Sequence, residues 1–435
     1  MTTATSPPID PRRVEDATCP ACGLLCDDLV LTVANGRVIR ADRACERGRA
    51  WFLADHRREE LPEATVDGVP VPTDEAIGRA SAILIASRAP TIAGLSAATT
   101  EAQAIAARLA DRLGATIGPD HAEEAWPRVA AIQRAGAALG SFGEVANRAD
   151  LILLWGLEPE PGLPRLRERL IDRPGRFVPE ARAGRTVLVV DSGSSTVRSW
   201  ADGAIAVGPG SHAEALRALR AAVLGIPSDP DRLVRASGAP LESWLEWADR
   251  LRAARYGAIL FGSELAREGA EAIEALMRLL DDLKASTRCV ALPMAGPGNP
   301  TGAEAVLTAR LGAPLSVDLS AGAPRFLPCD AEPELRLLRG EADAVLVLGE
   351  PTEELEVDRP PGVPLVLIGP AATSRSEPGV VAIATGTPAL DEGGSIVRSD
   401  EVTLPLRPPL EPIRPSAAEV LGRLLDRIGR DSIPE

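Results

Sequence analysis

Aromatic residues make up only 3% of this 435-residue chain, with a single tyrosine, so its core has to be filled largely by alanine, leucine and valine. Positive charge is also short: 47 Lys and Arg stand against 62 Asp and Glu, a net charge of −15, and lysine is scarce. Such a surface repels nucleic acid, whose binding rests on cations set against phosphates. The three histidines, His56, His121 and His212, lie in unrelated contexts, so no serine–histidine–aspartate arrangement can be argued. His56 in its charged stretch and His212 at an expected helix start read as surface residues. Runs of eighteen apolar residues are lacking, which removes a membrane span from the expectations. No apolar segment follows Arg12-Arg13, which removes a signal peptide and leaves a cytoplasmic location as the expectation. Gly208-Pro209-Gly210 is too short to stand as a phosphate loop.

Cysteine is scarce too, but four of the six are concentrated. Cys19-Pro-Ala-Cys22-Gly-Leu-Leu-Cys26 is followed at a distance by Cys45. Three closely spaced thiols with a fourth brought back from afar can wrap a [4Fe-4S] cube. Zinc more often uses two separated C-x2-C knuckles and stands as the alternative, with a plain structural role behind both. Disulfides are disfavoured, because nothing else marks the chain as secreted. Cys289 at a strand and Cys329 in a Pro-rich loop are isolated and read as small buried hydrophobes.

The segment between Cys26 and Cys45 explains how the fourth thiol returns. Leu29 to Val33 reads as a strand, Asn35-Gly36 as a tight hairpin turn and Val38 to Arg40 as the returning strand. Residues 1–16 read as a disordered polar start, and Ala44 to Arg58 has helical composition. From about Glu60 the pattern alternates. Strands are expected at Pro90–Gly94, Ala149–Trp155, Thr186–Asp191, Ala258–Phe261, Arg288–Leu292, Ala344–Leu348 and Leu365–Ile368. Between them lie helices at Thr100–Leu113, closed by Gly114, at Ser211–Leu224, with a capping-box pattern of Ser211 and Glu214, and at Glu268–Leu283. Continuous apolar strands between helices imply parallel sheets covered on both faces. The charged run Arg165–Arg169 reads as a solvated helix face.

These residues resemble a family. Cys19-Pro-Ala-Cys22-Gly-Leu-Leu-Cys26-Asp27-Asp28-Leu29, with Ala44-Cys45-Glu46-Arg47-Gly48, resembles the opening of the B subunit of formylmethanofuran dehydrogenase, within the molybdopterin oxidoreductase superfamily. The likeness continues in order through Thr99-Thr100-Glu101-Ala102-Gln103, Gly143–Asp150 with Trp155-Gly156, and Val189-Val190-Asp191. It then runs through Trp200-Ala201-Asp202, Val207–Gly210, Gly298–Gly302, Asp318–Arg325 and Glu392–Arg398, and so spans about residues 17 to 410. The resemblance implies a [4Fe-4S] cluster on Cys19, Cys22, Cys26 and Cys45, beside a tungsten or molybdenum bis-pterin that reduces CO2 to formate within a multi-subunit complex. Asp191 and Gly156 fall at its pterin side.

Two departures matter. The family's metal-ligating cysteine and neighbouring histidine, in a Cys-His-Gly-Pro motif, fall in ungapped register on Glu124 and Ala125, with only Pro127 kept. Glutamate is a hard oxygen donor, poorly matched to a soft metal site, and His121 lies off the histidine register. The family's Asp-Pro-Arg after the Val-Val-Asp strand is replaced by Asp191-Ser192-Gly193, with Arg198 as a candidate substitute downstream.

The favoured reading is therefore a non-redox subunit, like the B subunit of the bacterial formyltransferase/hydrolase complex, which converts formyl-tetrahydromethanopterin to formate by way of a methanofuran-like carrier. Its partners would be the amidohydrolase-like A, C and formyltransferase D subunits or a separate β-barrel subunit, and the metal–pterin would be missing. One alternative keeps a working tungsten or molybdenum formylmethanofuran dehydrogenase with an oxygen ligand; another is a stand-alone iron–sulfur electron carrier. The architecture implied is α/β: a four-cysteine domain over 1–58, a discontinuous Rossmann-like domain over 59–135 plus 255–400, a second one inserted over 136–254, and a tail over 401–435. The superfamily's C-terminal β-barrel is expected to be lacking.

Overall fold

The computed structural model describes residues 11–54, 60–120, 122–157, 162–193, 195–327, 333–350 and 359–431; His56, His121 and Cys329 lie outside them. The chain is a mixed α/β protein of two compact units. Unit 1 is Met1–Ala122, Gly296–Arg398 and Thr403–Glu435, and unit 2 is Glu123–Ala295 with Ser399–Val402.

Unit 1 opens with an antiparallel sheet of β1 (Arg12–Ala17), β2 (Leu29–Ala34) and β3 (Arg37–Asp42). The Asn35-Gly36 turn forms as its sequence indicates: both residues take positive φ, 53° and 71°, the backbone a two-residue hairpin needs. Leu29, Leu31 and Val33 alternate inward along β2. The strand β1 corrects the expected disordered start. Its residues carry no apolar alternation, and pairing with β2 holds them. Helix α1 (Glu46–Leu53) follows Cys45 directly.

The main sheet of unit 1 runs in the order β14 (Arg325–Phe326), β13 (Val317–Asp318), β7 (Thr116–Ile117), β6 (Pro90–Ala93), β15 (Ala344–Leu348), β16 (Leu365–Gly369), β17 (Val380–Ala384), β4 (Ala64–Val66), β5 (Val69–Pro70). The central strands from β7 to β17 are parallel. They are nearly all buried, as strands covered on both faces must be. One face carries α2 (Thr73–Ala86), α3 (Thr100–Leu113), α11 (Pro300–Leu311) and α13 (Ala417–Asp431). The other carries Leu337 of α12 (Pro333–Leu338). A hairpin of β18 (Gly394–Val397) and β19 (Thr403–Leu406) packs Ile396, Leu404 and Leu406 on Leu25 of the cysteine loop. Residues 401–431, the described part of the expected tail, are thus no tail. β19 completes this hairpin, and α13 seats Val420, Leu421, Leu424 and Ile428 in the core at helical spacing. Among the described residues there is no barrel.

Unit 2 is a five-stranded parallel sheet in the order β10 (Gly203–Ala206), β9 (Thr186–Asp191), β8 (Leu151–Trp155), β11 (Tyr256–Phe261), β12 (Arg288–Pro293). Its helices are α4 (Ala122–Ala135), α5 (Phe142–Arg148), α6 (His212–Leu224), α7 (Pro230–Ser237), α8 (Leu241–Ala253), α9 (Ser263–Arg267) and α10 (Ala270–Leu283). Three of the six tryptophans gather in this core. Trp155 stacks on Trp244 at 6.5 Å between centroids, and Trp247 meets Trp244 edge-on at 6.2 Å.

The expected boundaries at 135 and 255 are corrected. β11 and β12 hydrogen-bond to β8 and to each other, so the inserted sheet continues to residue 293. Alternating strands and helices look alike in sequence whichever sheet they join. Pairing alone decides, and nothing local encodes it.

Candidate functional site

The four cysteines meet at one end of unit 1. Cys19 N–H donates to the Cys26 carbonyl at 2.8 Å and Leu25 N–H to the Cys22 carbonyl at 3.0 Å, closing the loop on itself. Cys45 arrives by way of the β2–β3 hairpin as the N-cap of α1, its sulfur 3.5 Å from the Gly48 amide. Gly48 leaves room for the thiols: a Cβ there would lie 3.2 Å from Cys19 Sγ and 3.9 Å from Cys45 Sγ. Cys19, Cys22 and Cys26 are buried. Burial pushes the Cys19 thiol up to about 12; the Ala21 backbone amide opposes this, while negative charge on Cys26, Cys22 and Cys45 adds to it.

The chemistry of this donor set is specific. It comprises four thiols, without imidazole or carboxylate, in a pocket that resists thiolate charge unless cations offset it. Around a single tetrahedral ion the sulfurs would sit about 4 Å apart. Among the described residues no three His, Cys, Asp or Glu side chains are grouped to hold such an ion. Four thiols of this kind are the donor set of a soft metal centre, a [4Fe-4S] cube or a zinc ion.

Beside the thiols lies a cavity of about 780 Å3, lined by Pro20, Arg47 and Trp51 on the cysteine side and by Gly349, Gly369 and Thr387 on the strand side. It opens at the carboxyl ends of β6, β15, β16 and β17. The chain moves one way from β6 to β7 and the other way from β15 to β17, so this edge is a topological switch point, where α/β sheets bind ligands. Backbone packs on backbone here. A Cβ on Gly94 would sit 2.1 Å from the Leu348 carbonyl oxygen, and one on Gly298 2.4 Å from that of Ser96.

Several motifs that carry the family resemblance converge on this wall. Gln103 Nε2 donates to the carbonyls of Leu95 (2.8 Å), Ala98 (3.3 Å) and Asn299 (3.0 Å). Asn299 Nδ2 donates to the Ala98 carbonyl at 3.0 Å, and its Oδ1 accepts from Val397 N–H at 2.8 Å. Thr100 Oγ1 donates to the Ser395 carbonyl, and Ser395 returns N–H and O–H to the Glu101 carboxylate. Gly298 N–H reaches the Pro20 carbonyl between Cys19 and Cys22 at 3.1 Å. No sequence signal joins Gln103 and Asn299 into one network. Glu392, the first residue of the Glu392–Arg398 motif, lines the cavity wall and is buried. Burial raises its carboxyl to about 8, helped by the charges of Asp391, Glu419 and Glu101 and opposed by the Ala417 N–H.

The positions expected to hold a metal look different. Glu124 lies exposed in the first turn of α4, and Ala125 is a buried methyl. An exposed carboxylate is a poor anchor for a metal that needs water excluded, and an alanine carries no proton.

In unit 2 the polar groups at the carboxyl edge bind one another. Buried Asp191, at the end of β9, takes Arg198 Nε at 2.8 Å and Nη2 at 2.5 Å, plus Gly193 N–H at 2.7 Å, all on Oδ1. Arg198 is thereby committed to this carboxylate. Gly156 closes β8 with φ 55°, and the Glu264 side chain fills the space beside it.

His212 is not a surface residue. It is buried, its Nδ1 accepts from Trp155 Nε1 at 3.0 Å, and its Nε2 is 3.9 Å from the carboxylates of Glu264 and Glu268. The expected capping box at Ser211 does not form. Glu268 instead accepts from the N–H groups of Gly210 (2.6 Å), His212 (2.9 Å) and Ala213 (3.3 Å). The Arg165–Arg169 run is not simply solvated either: Arg165 is buried and chelated by Glu168. Cys289 is buried, its thiol raised to about 12 by burial, and it packs against Gly257.

No family model matches the chain. The B subunit of the tungsten-containing formylmethanofuran dehydrogenase 2 of Methanocaldococcus jannaschii is 30% identical over 414 residues, 92% of this chain and 94% of that protein. The B subunit of the formyltransferase/hydrolase complex Fhc of Methylorubrum extorquens is 29% identical over 374 residues, 84% of this chain and 98% of that protein. A chain of the crystal structure of the formyltransferase/hydrolase complex from that organism, bound to methylofuran, superposes with a TM-score of 0.72. It is 27% identical and covers 85% of this chain and 100% of that one. Acetylene hydratase from Pelobacter acetylenicus shares the fold, with a TM-score of 0.65 at 11% identity over 96% of this chain and 69% of that one. With identity of this order running along nearly the whole length of both sequences, the chain belongs to the family of formylmethanofuran dehydrogenase B subunits.

Proposed function

We propose that the chain is a non-redox subunit of a formyltransferase/hydrolase-type complex in one-carbon metabolism, holding hydrolase and transferase subunits together rather than carrying out electron transfer on substrate. The observation that carries this reading is the pair at the family's Cys-His positions: an exposed Glu124 and a methyl-bearing Ala125. Glu124 is not a soft ligand, and Ala125, at the histidine position, has no group to carry a proton. The commitment of Arg198 to Asp191 supports it further, because this cation near the expected pterin side is already neutralised.

On this reading the thiols of Cys19, Cys22, Cys26 and Cys45 hold a [4Fe-4S] cluster whose role is structural. Bound iron would offset the thiolate charge that the apo pocket resists and would tie the cysteine loop to α1. The test is the reaction of the native complex. Formate should be released from formyl-tetrahydromethanopterin with no electron acceptor present, and the complex should fail to reduce a viologen dye with formyl substrate. Dye reduction that scales with the complex would reject the proposal, and loss of that reduction in Glu124→Ala would favour a working oxygen-ligated metal instead.

A further inference from the structure

The 435 residues include 5 Phe, 6 Trp and 1 Tyr, and among the described residues Phe177 is the one exposed aromatic, with 48% of its surface open to solvent. It sits in unit 2 on the turn from Gly175 to Val178. Guanidinium groups flank its ring: the Arg148 carbon lies 4.8 Å from the ring centre and that of Arg176 5.7 Å. Arg148, Arg176 and the nearby Arg173 are all exposed, and among the described residues none has a carboxylate partner.

The turn is tied down by backbone and side-chain hydrogen bonds. Gly175 N–H donates to the Val178 carbonyl at 2.9 Å, and Phe177 N–H donates to the Asn147 carbonyl at 2.9 Å. Arg176 N–H donates to Asn147 Oδ1 at 3.2 Å, while Asn147 Nδ2 anchors on the Gly143 carbonyl at 2.8 Å. Behind the turn, a Cβ on Gly175 would sit 2.3 Å from the Ala146 carbonyl oxygen, and Arg185 donates to that same oxygen at 2.6 Å.

We infer that the Gly175–Val178 turn is a docking point for another protein chain, one that presents an apolar depression rimmed by carboxylates. Aromatic and arginine side chains are the types that carry binding energy at interfaces, and a pre-ordered turn loses little conformational freedom on docking. A guanidinium over a ring is strengthened when a partner excludes water from it. Three unneutralised cations on a chain of net charge −15 select an acidic partner surface, and that same net charge sets two copies of the chain against each other. The inference rests on the proposed membership of a multi-subunit complex, and the partner is a companion subunit of that complex.

The test is reconstitution of the full chain with its companion subunits, followed by sedimentation velocity at low and high salt. Phe177→Ala should weaken assembly at least about tenfold. The double variant Arg148→Gln/Arg176→Gln should weaken it too and flatten its salt dependence. Both variants should keep the wild-type unfolding midpoint, since the altered side chains are exposed. Wild-type affinity and salt dependence in both variants would overturn the inference, as would a Phe177-dependent dimer of the chain alone. Failure of the wild-type chain to join those subunits would overturn both the docking surface and the proposed function. Equal assembly by the variants would sink the surface alone.

Discussion

The two sheets follow one logic and finish it differently. In unit 1 the loops after β6, β15, β16 and β17 stop short of one another and leave a cavity beside four thiols. In unit 2 the corresponding edge is occupied by the chain's own charges: Asp191 holds Arg198, and Glu268 occupies the start of α6. The carboxyl edge of an α/β sheet is where ligands bind, because strand ends and helix starts leave donors there unpaired. Whether such an edge stays receptive is decided by a few side chains that reach it from elsewhere in the sequence, and those differ between the units although both edges end parallel strands.

The sharpest way to break this comparison is at Gly94. Gly94→Ala would place a Cβ against the backbone of Leu348 at φ 78°, and no side-chain shift can relieve that contact. Unit 1 should lose about 4 kcal/mol or more and the chain should accumulate unfolded, read by denaturant titration. A folded variant of near wild-type midpoint would show the loops to be looser than the close packing implies.

Unit 2 has its own critical point, Arg185. This buried guanidinium donates to the carbonyls of Ala146, Ala149, Ile171 and Arg173 and, among the described residues, faces no carboxylate at hydrogen-bond range. Arg185→Met should cost about 3–5 kcal/mol in the unfolding free energy, because the carbonyls stay buried without donors. In unit 1 the comparable staple is neutral. Gln103→Leu removes three donated bonds and should cost about 2–3 kcal/mol by the same titration, so the charged staple is expected to matter more than the amide.

A different readout is a pH slope at Glu392. With its folded carboxyl raised from 4.5 to about 8, the unfolded chain ionises first as pH rises, so this residue's contribution to stability falls between pH 4.5 and 8. Glu392→Gln should flatten the stability–pH curve in that window, measured by unfolding midpoints across it. An unchanged slope would place the origin of that pH dependence elsewhere.

The parts legible in the sequence are those written locally. The cysteine spacing, the Asn35-Gly36 turn and the run Leu151–Trp155 each state their structure within a few residues. What stays hidden depends on partners far along the chain. β1 has no pattern of its own and exists through β2. Ser211 and Glu214 have the spacing of a capping box, yet a glutamate more than fifty residues later takes the amides. His212 has the local context of a polar helix start, and its burial depends on Trp155 from β8, which donates to it. At the site, the four thiols can be named from spacing alone, whereas the network joining Gln103, Asn299 and Val397 cannot, since its members lie up to three hundred residues apart.

The central question is which metals the chain holds. The most direct measurement is the metal content of the native protein purified without oxygen with its companion subunits. About four irons per chain with neither tungsten nor molybdenum is the predicted result, the iron count being that of one [4Fe-4S] cube; tungsten or molybdenum in stoichiometric amount on this chain would contradict it.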